Sequence, residues 1–501
     1  MHFFQDIMYK HDQNQLEFEN FGLPFSGKLR SDNRWVRLAK IIPWGEFNLS
    51  YSKTLKRSGF GPPAKSVRVA LGALIIKERL STSDEETVEQ IRENPYLQYF
   101  LGFKEYKDEE PFHPTMFVHF RKRISKEMLG KINESVHKKA TSKNSSDDND
   151  DHDSPPGNKG KLLVDATCAP ADITFPTDLK LLNKAREKSE GIIDTLHKPH
   201  KGRKKKSRTY RRRARKDFLL VAKSKRLPTS KRRKAIRRQL GYLKRNLRTI
   251  SKLTKASSLS LLSKCQYKNL LVINELHRQQ NWMHEQHENR INDRIVSISQ
   301  PHIRPIKRGK AHASTEFGAK LSASLVEGYC FLDRLSWDNY NESGDLEQQI
   351  KTYKKRFGFY PASVHADRIY RNRNNIKFCK KHTIRLSGPR LGRPPKGLAK
   401  QQELQKQFRQ DEIDRIPIEG KFGQAKRRFG LSRIMCKLAK TAETAIAMTF
   451  LVMNLEKWLK VFLFVFFNTH KLLFGSKNRQ TKAEYTIKNS IQMQIIVNEY
   501  W

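Results

Sequence analysis

Three acidic residues stand out in this sequence because the chain around them is so basic. Asp165 closes the apolar run KLLVD at 161–165, Asp367 closes PASVHAD at 361–367, and Glu419 lies in RIPIEGKFGQAK at 415–426, where the helix expected after Pro417 would carry it. Phosphodiester cleavage by two divalent ions needs carboxylates that converge on ions about 4 Å apart, one activating the attacking oxygen and the other stabilising the leaving one. Hard oxygen donors of this kind suit two Mg2+ (or Mn2+) ions. Neighbouring strands can set two of the acids side by side, and a helix packed on the sheet can add the third. A strand-end aspartate is also a common turn or cap residue, because its side chain bonds local amides. Rival acids exist: Asp172 or Asp178 for Asp165, and Asp333 or Asp338 for Asp367. Asp172 reads as a loop residue, and Asp338 begins the turn-rich DNYNESG. His284, His287, His302, His312 and His365 form no H-x3-H pair and have no accompanying cysteines, which argues against zinc.

The elements that would position these acids belong to a chain of 501 residues with 99 Lys plus Arg against 51 Asp plus Glu, a formal charge of +48. That length holds several domains and a sizeable core, so a small disulfide scaffold or a wholly disordered tail is excluded. A charge excess of this size points to a polyanion, because each neutralised phosphate releases condensed counterions. Nucleic acid is the expected partner, and the resemblance described below makes it double-stranded DNA. Cys168, Cys265, Cys330, Cys379 and Cys436 form no CxxC pair, and the first residues lack the pattern of a signal peptide. A cytoplasmic, nucleoid-associated protein is expected. The apolar stretch 444–467 is broken by Glu456, Lys457 and Lys460 and reads as a buried or partner-binding helix rather than a membrane span. Trp282, Trp337 and Trp458 read as core residues.

Residues 1–140 read as a helical N-terminal domain that binds DNA. Val67, Leu71, Leu74 and Ile75 begin a helix that stops near Ser81, and Ser83 to Glu86 has the S-x-x-E form of a capping box. Asn94-Pro95 interrupts the next helix. Met116, Phe120, Ile124, Met128 and Ile132 recur every fourth residue, predicting one further helix with Arg121 and Arg123 on its basic faces. Residues 141–160, rich in Ser, Asn, Asp and Pro, read as a disordered acidic linker. A mixed α/β domain follows over 161–197 and 290–440, with strands near 161–165, 316–325, 329–337, 362–366 and 383–386 and helices near 346–357 and 371–381. It is interrupted by 198–289, which holds 29 Lys plus Arg and four acids. Lys204, Arg211, Arg212 and Arg213 lie in its most basic tract. Arg237 and Arg238 flank the apolar stripe Ile236, Leu240, Leu243 and Leu247 of an amphipathic helix. Residues 441–501 read as a C-terminal helix and tail, the tail beyond about 475 showing little amphipathic order.

Longer phrases carry a resemblance. ENPYLQYFLGF (93–103), PFHPTMFVHFRKR (111–123), LLVDATCAPADITFPTDLKLLNKAR (162–186), DRIVSISQPHIRPIKRGKA (293–311), EFGAKLSAS (316–324), LSWDNYNES (335–343), ADRIYRNRNNIKF (366–378), GPRLGRPPK (388–396) and IEGKFGQAKRRFGL (418–431) occur in this order. Over roughly 66–460 the chain resembles the DDE-type transposases of bacterial insertion sequences, in the broad insertion sequence five group. The resemblance implies a ribonuclease H-like core of about five strands with Asp165, Asp367 and Glu419 as metal ligands. It implies cleavage at the element's ends, strand transfer into target DNA, and a homodimer on DNA. Arg415, Glu419 and Lys426 keep R-x3-E-x6-K of the family's Y-x2-R-x3-E-x6-K signature, with Glu412 in place of the tyrosine. Arg415 and Lys426 would then hold phosphate near the metals. The alternative expectation is a decayed or repurposed transposase that binds DNA without cutting it.

Overall fold

The computed structural model describes residues 21–23, 27–55, 63–141, 157–203, 205–224, 226–307, 315–389 and 398–474. The acidic stretch at 142–156, Lys204, residues 390–396 and the tail beyond 474 lie outside the described residues.

The N-terminal part is helical: α1 (Arg34–Ile41), α2 (Asn48–Ser52), α3 (Val67–Leu80), α4 (Asp84–Glu93), α5 (Pro95–Phe100), α6 (Met116–Arg123) and α7 (Lys126–Thr141). Its boundaries follow local chemistry. Ser66 caps α3, and Ser81 ends it in the left-handed region at φ 55°. Ser83 Oγ accepts from the Glu86 amide, but the Glu86 carboxylate accepts from Gln90 instead of closing the capping box. Asn94 caps α5, whose first residue is Pro95, a position where a missing N–H costs nothing. The single helix expected from Met116 to Ile132 is two. Ile124 is extended and Ser125 Oγ accepts from the Met128 amide, so a serine cap splits one apolar repeat between α6 and α7.

The strands are β1 (Lys161–Pro170), β2 (Arg304–Lys307), β3 (Thr315–Val326), β4 (Tyr329–Ser336), β5 (Ser363–His365) and β6 (Arg385–Leu386). They form one mixed sheet in the order β4-β3-β1-β5-β6, with β2 pairing the other end of β3. β4, β3 and β1 are antiparallel neighbours, whereas β1, β5 and β6 run parallel. That is a ribonuclease H-like arrangement. β1 continues five residues past Asp165, because β3 pairs with it as far as Pro170, so Asp165 sits in mid-strand opposite Ala323 and not at a strand end. At Gly318, any Cβ would overlap the Ala169 carbonyl oxygen, so only glycine permits this close crossing. β2 was not expected from its sequence; Pro305 is tolerated because the strand is a short one at the sheet edge.

Between β1 and β2 lie α8 (Asp178–His197), α9 (Arg211–Ala222), α10 (Thr229–Ala256) and α11 (Lys264–Glu285). Leu181, Leu182 and Ala185 of α8 pack on Leu240 and Leu243 of α10 and on Ile273 and Leu276 of α11. α8, whose residues were expected within the catalytic domain together with β1, thus packs on the helices of the insertion. The apolar stripe of α8 finds its partners there. A complete capping box starts α11 at Ser263 and Gln266. Trp282 on α11 is 40% exposed, contrary to the core reading, whereas Trp337 and Trp458 are partly buried against the main core.

After β4 come α12 (Leu346–Phe357), α13 (Arg373–Lys381), α14 (Leu398–Arg428) and α15 (Ala439–Phe474). The two faces of the sheet are covered differently. Leu162, Val164 and Val364 face α12 and its surroundings, while Leu163, Leu321, Ala323 and Leu325 face α14, α15 and the N-terminal helices. α15 completes the N-terminal module. Asn454 on it accepts from the Cys330 amide of β4 and donates to the Cys330 carbonyl and to Asn133 of α7, each at 2.8 Å. Arg79 of α3 pairs with Glu456 nearby. No described helix is long and apolar enough to cross a membrane.

Candidate active site

The pairing register brings the strand acids together. Lys161, Leu162 and Leu163 of β1 pair in parallel with Ser363, Val364 and His365 of β5. Two residues further along each chain stand Asp165 and Asp367. Two residues preserve the pleat parity, so both acids stand level and on the face that α14 covers. The helix brings Glu419 to the same place. It starts at Leu398 and runs through Pro417, rather than beginning after it. Proline removes one helical hydrogen bond, and Ile418, Phe422 and Ala425, all buried, hold the following turns against the core.

Arg415 ties the group together. Its Nη1 lies 3.0 Å from Asp367 Oδ1 and its Nη2 donates to Glu419 Oε1 at 2.9 Å. Asp367 also caps the short turn at Arg368–Tyr370 by accepting from the Arg368 amide at 2.6 Å. Asp165 Oδ1 accepts from the Ala166 amide at 2.8 Å. Burial pushes the Asp165 carboxyl up to about 6; the Ala166 amide and Arg415 oppose the rise, and the charges of Asp367 and Glu419 add to it. Asp367 and Glu419 are exposed, Arg415 and Lys426 half-buried. Among the described residues no three His, Cys, Asp or Glu side chains stand close enough to form a ready-made metal site. The guanidinium of Arg415 lies between two of the carboxylates, where a cation would serve them. Two carboxylates sharing one cation, with the buried Asp165 beside them and its ionised form disfavoured, are oxygen donors of the kind that suits hard divalent ions.

The rival acids are engaged elsewhere. Asp172 accepts from Arg433 at 2.5 and 2.8 Å, and Asp178 accepts from Arg294 at 2.6 Å and Gln280 at 2.9 Å. Asp333 is buried with Gln349, Ser324 and Arg356, and the Asp338 amide closes a turn onto Ser336 Oγ.

The basic residues divide. Arg212, Arg213, Arg237 and Arg238 are exposed on α9 and α10. Arg211 instead pairs with Asp194 and lies 3.7 Å from Glu190 of α8. Arg121, expected on a basic outer face, is buried and paired with Asp84, because α6 turns this side toward α4. Arg123 is half-buried.

Three residues near the acids escaped the sequence reading, Arg385, Asp411 and Asp414, and His365 was weighed there only as a zinc ligand. Arg385 Nη2 lies 2.8 Å from Asp411 Oδ1, and Lys161 Nζ donates to Asp414 Oδ2 at 2.8 Å. Asp411 precedes Arg415 by four residues, as Arg415 precedes Glu419, and that helical spacing was the available signal.

Comparison with known proteins finds transposase families. Residues 364–456 match the family described as transposase DDE domain, and residues 24–123 match the one described as transposase domain (DUF772). An uncharacterised protein, ORF8 in the nfe locus of Rhizobium meliloti, is 32% identical over 154 residues, which cover 30% of this chain and 68% of that relative. No solved structure matches. The chain belongs to the DDE-type transposases of insertion sequences.

Proposed function

We propose that the chain cuts DNA at the ends of its insertion sequence and joins the freed 3′-hydroxyl to target DNA in one site, with Asp165, Asp367 and Glu419 as ligands of two Mg2+ (or Mn2+) ions. The observation that carries this reading is the β1–β5 register, which sets Asp165 and Asp367 level beneath the helix that bears Glu419. Bound there, the ions would activate the attacking oxygen and neutralise charge on the leaving one. The protein's own contribution is positional. β1 fixes one carboxylate on the sheet, the turn that follows β5 holds the second, and α14 adds the third.

Once a metal satisfies the carboxylates, the two nitrogens of Arg415 are suited to grip nonbridging phosphate oxygens as a fork. Lys426, seven residues beyond Glu419, lies on the same side of α14 and adds a point charge for the same strand. The exposed Arg212, Arg213, Arg237 and Arg238 would track the backbone of the duplex without reading its bases. Two ends must be joined, so a homodimer on DNA fits the reaction.

The test is Mg2+-dependent cutting of labelled DNA carrying the ends of the element that encodes the chain, comparing the native protein with Glu419→Gln. Cutting by the native protein alone is the expected result. Binding without cutting by either would indicate a transposase that retains only DNA binding. Degradation of RNA without strand transfer into duplex DNA would point to a ribonuclease.

A further inference from the structure

Two carboxylates of α14 that belong to no triad reach across three strands. Asp411 accepts from both terminal nitrogens of Arg385 on β6, with contacts at 2.8 and 3.1 Å. The Gly388 amide adds a longer contact to Asp411 at 3.4 Å. His365 of β5, fully buried, places Nδ1 3.6 Å from Asp411 and Nε2 3.9 Å from Asp414, and Ser363 Oγ lies 3.0 Å from the same Nε2. Lys161, the first residue of β1, completes the set by donating to Asp414. β1 and β6 therefore each give this pair of aspartates a hydrogen-bonding side chain, and β5 sets His365 beside it without a hydrogen bond.

The contacts lie just upstream of the triad on every element. Lys161 precedes Asp165 by four residues and His365 precedes Asp367 by two, while Asp411 precedes Glu419 by eight. A rise of about 1.5 Å per helical residue puts roughly 7.5 Å between Asp414, the partner of Lys161, and Glu419. A rise of about 3.3 Å per strand residue puts roughly 13 Å between Lys161 and Asp165. Both offsets run in the same direction, so α14 lies along the strands with polar contacts at one end and the three acids at the other. Beyond Glu419 the helix is held by apolar packing of Phe422, Ala425 and Phe429, which resists separation but leaves rotation and sliding weakly fixed. Directional hydrogen bonds supply what that packing lacks.

We propose that Asp411 and Asp414 are positioning residues, which lock α14 to β1 and β6, on either side of β5, and so set the place of the Glu419 carboxylate relative to Asp165 and Asp367. This rests on the triad reading given above, and its test must separate the two.

Mn2+ binding to the full-length protein without DNA can be followed by titration calorimetry, beside the Mg2+ dependence of cleavage and the affinity for DNA. Asp411→Asn should weaken Mn2+ binding and raise the Mg2+ needed for half-maximal cleavage, each by about tenfold or more, with DNA affinity unchanged. Lys161→Met is the control against misfolding, because its side chain is 61% exposed. It should shift both readouts in the same direction by a smaller factor, and its effect should vanish in an Asp414→Asn background. Unchanged Mn2+ affinity in Asp411→Asn and Lys161→Met, with Glu419→Gln defective, would overturn the positioning role and leave the triad standing. Loss of DNA affinity and thermal stability in Asp411→Asn with no effect of Lys161→Met would assign the pair to folding instead. Normal Mn2+ binding and cutting by Glu419→Gln would remove the triad and this role with it.

Discussion

Asp165→Asn should stabilise the metal-free protein while abolishing cleavage. Burial lifts this carboxyl from 3.8 to about 6, so keeping it ionised in the folded chain is unfavourable. At about 1.36 kcal/mol per unit, the shift corresponds to an upper value of about 3 kcal/mol. Solvent reaches part of the residue and screens it, so the measured gain should be about 1–3 kcal/mol. Asparagine keeps an oxygen for the Ala166 amide, so the local hydrogen bond survives. The pH profile follows from the sign of the shift. Below about pH 4 the carboxyl is protonated in folded and unfolded chains alike, and the two proteins should be equally stable. Between about pH 4 and about pH 6 the unfolded chain ionises while the folded one keeps its proton, so the native protein alone loses stability as pH rises. Above about pH 6 the gap should be constant. Urea unfolding in EDTA at several pH values measures it, and excess Mg2+ should narrow or reverse it by binding the native site. An asparagine variant no more stable than the native protein at pH 8 in EDTA, or a gap independent of pH, would refute the reasoning.

Arg212→Ala with Arg213→Ala should weaken DNA binding and flatten its dependence on salt, read as the slope of log affinity against log salt. Arg211→Ala should instead leave that slope nearly unchanged and lower the stability of the helical insertion, since Arg211 is committed to Asp194 and Glu190; hydrogen exchange in α8 and α9 reports it. Gly318→Ala should give little folded protein, because the new methyl group overlaps the backbone of β1; a normal yield with an unchanged melting curve would contradict the close crossing.

Much of this architecture was legible because short-range chemistry and long-range packing agree there. α12 begins and ends where its sequence says, since Gly358 in the left-handed region at φ 86° terminates it. The strands of the core announce themselves by apolar runs, and the acids by their rarity in a basic chain. The failures have physical causes. Asp165 looked like a strand end because β1 loses its apolar pattern there, yet β3 supplies pairing that no local pattern records. The repeat from Met116 to Ile132 looked like one helix because Ser125 keeps the apolar spacing while breaking the backbone. Arg121 looked like a surface cation because its burial and its ion pair with Asp84 depend on tertiary packing. Pro417 looked like a helix start because proline favours the first turn, whereas α14 has enough packing to carry it inside.

The hydrogen bonds of Asn454 to Cys330 and Asn133 have a consequence for how the protein is made. The N-terminal helices leave the ribosome well before α15, which covers them. At roughly 5–20 residues per second, the stretch from Thr141 to Asn454 keeps the module waiting for roughly 15–60 s with its apolar faces uncovered. Chaperones have that interval in which to act. A messenger interrupted anywhere before α15 would yield fragments with an unfinished core, fit for proteolysis rather than for occupying the element's ends. Copies of the element broken downstream of α7 should therefore be silent, and should not produce truncated competitors of the intact enzyme.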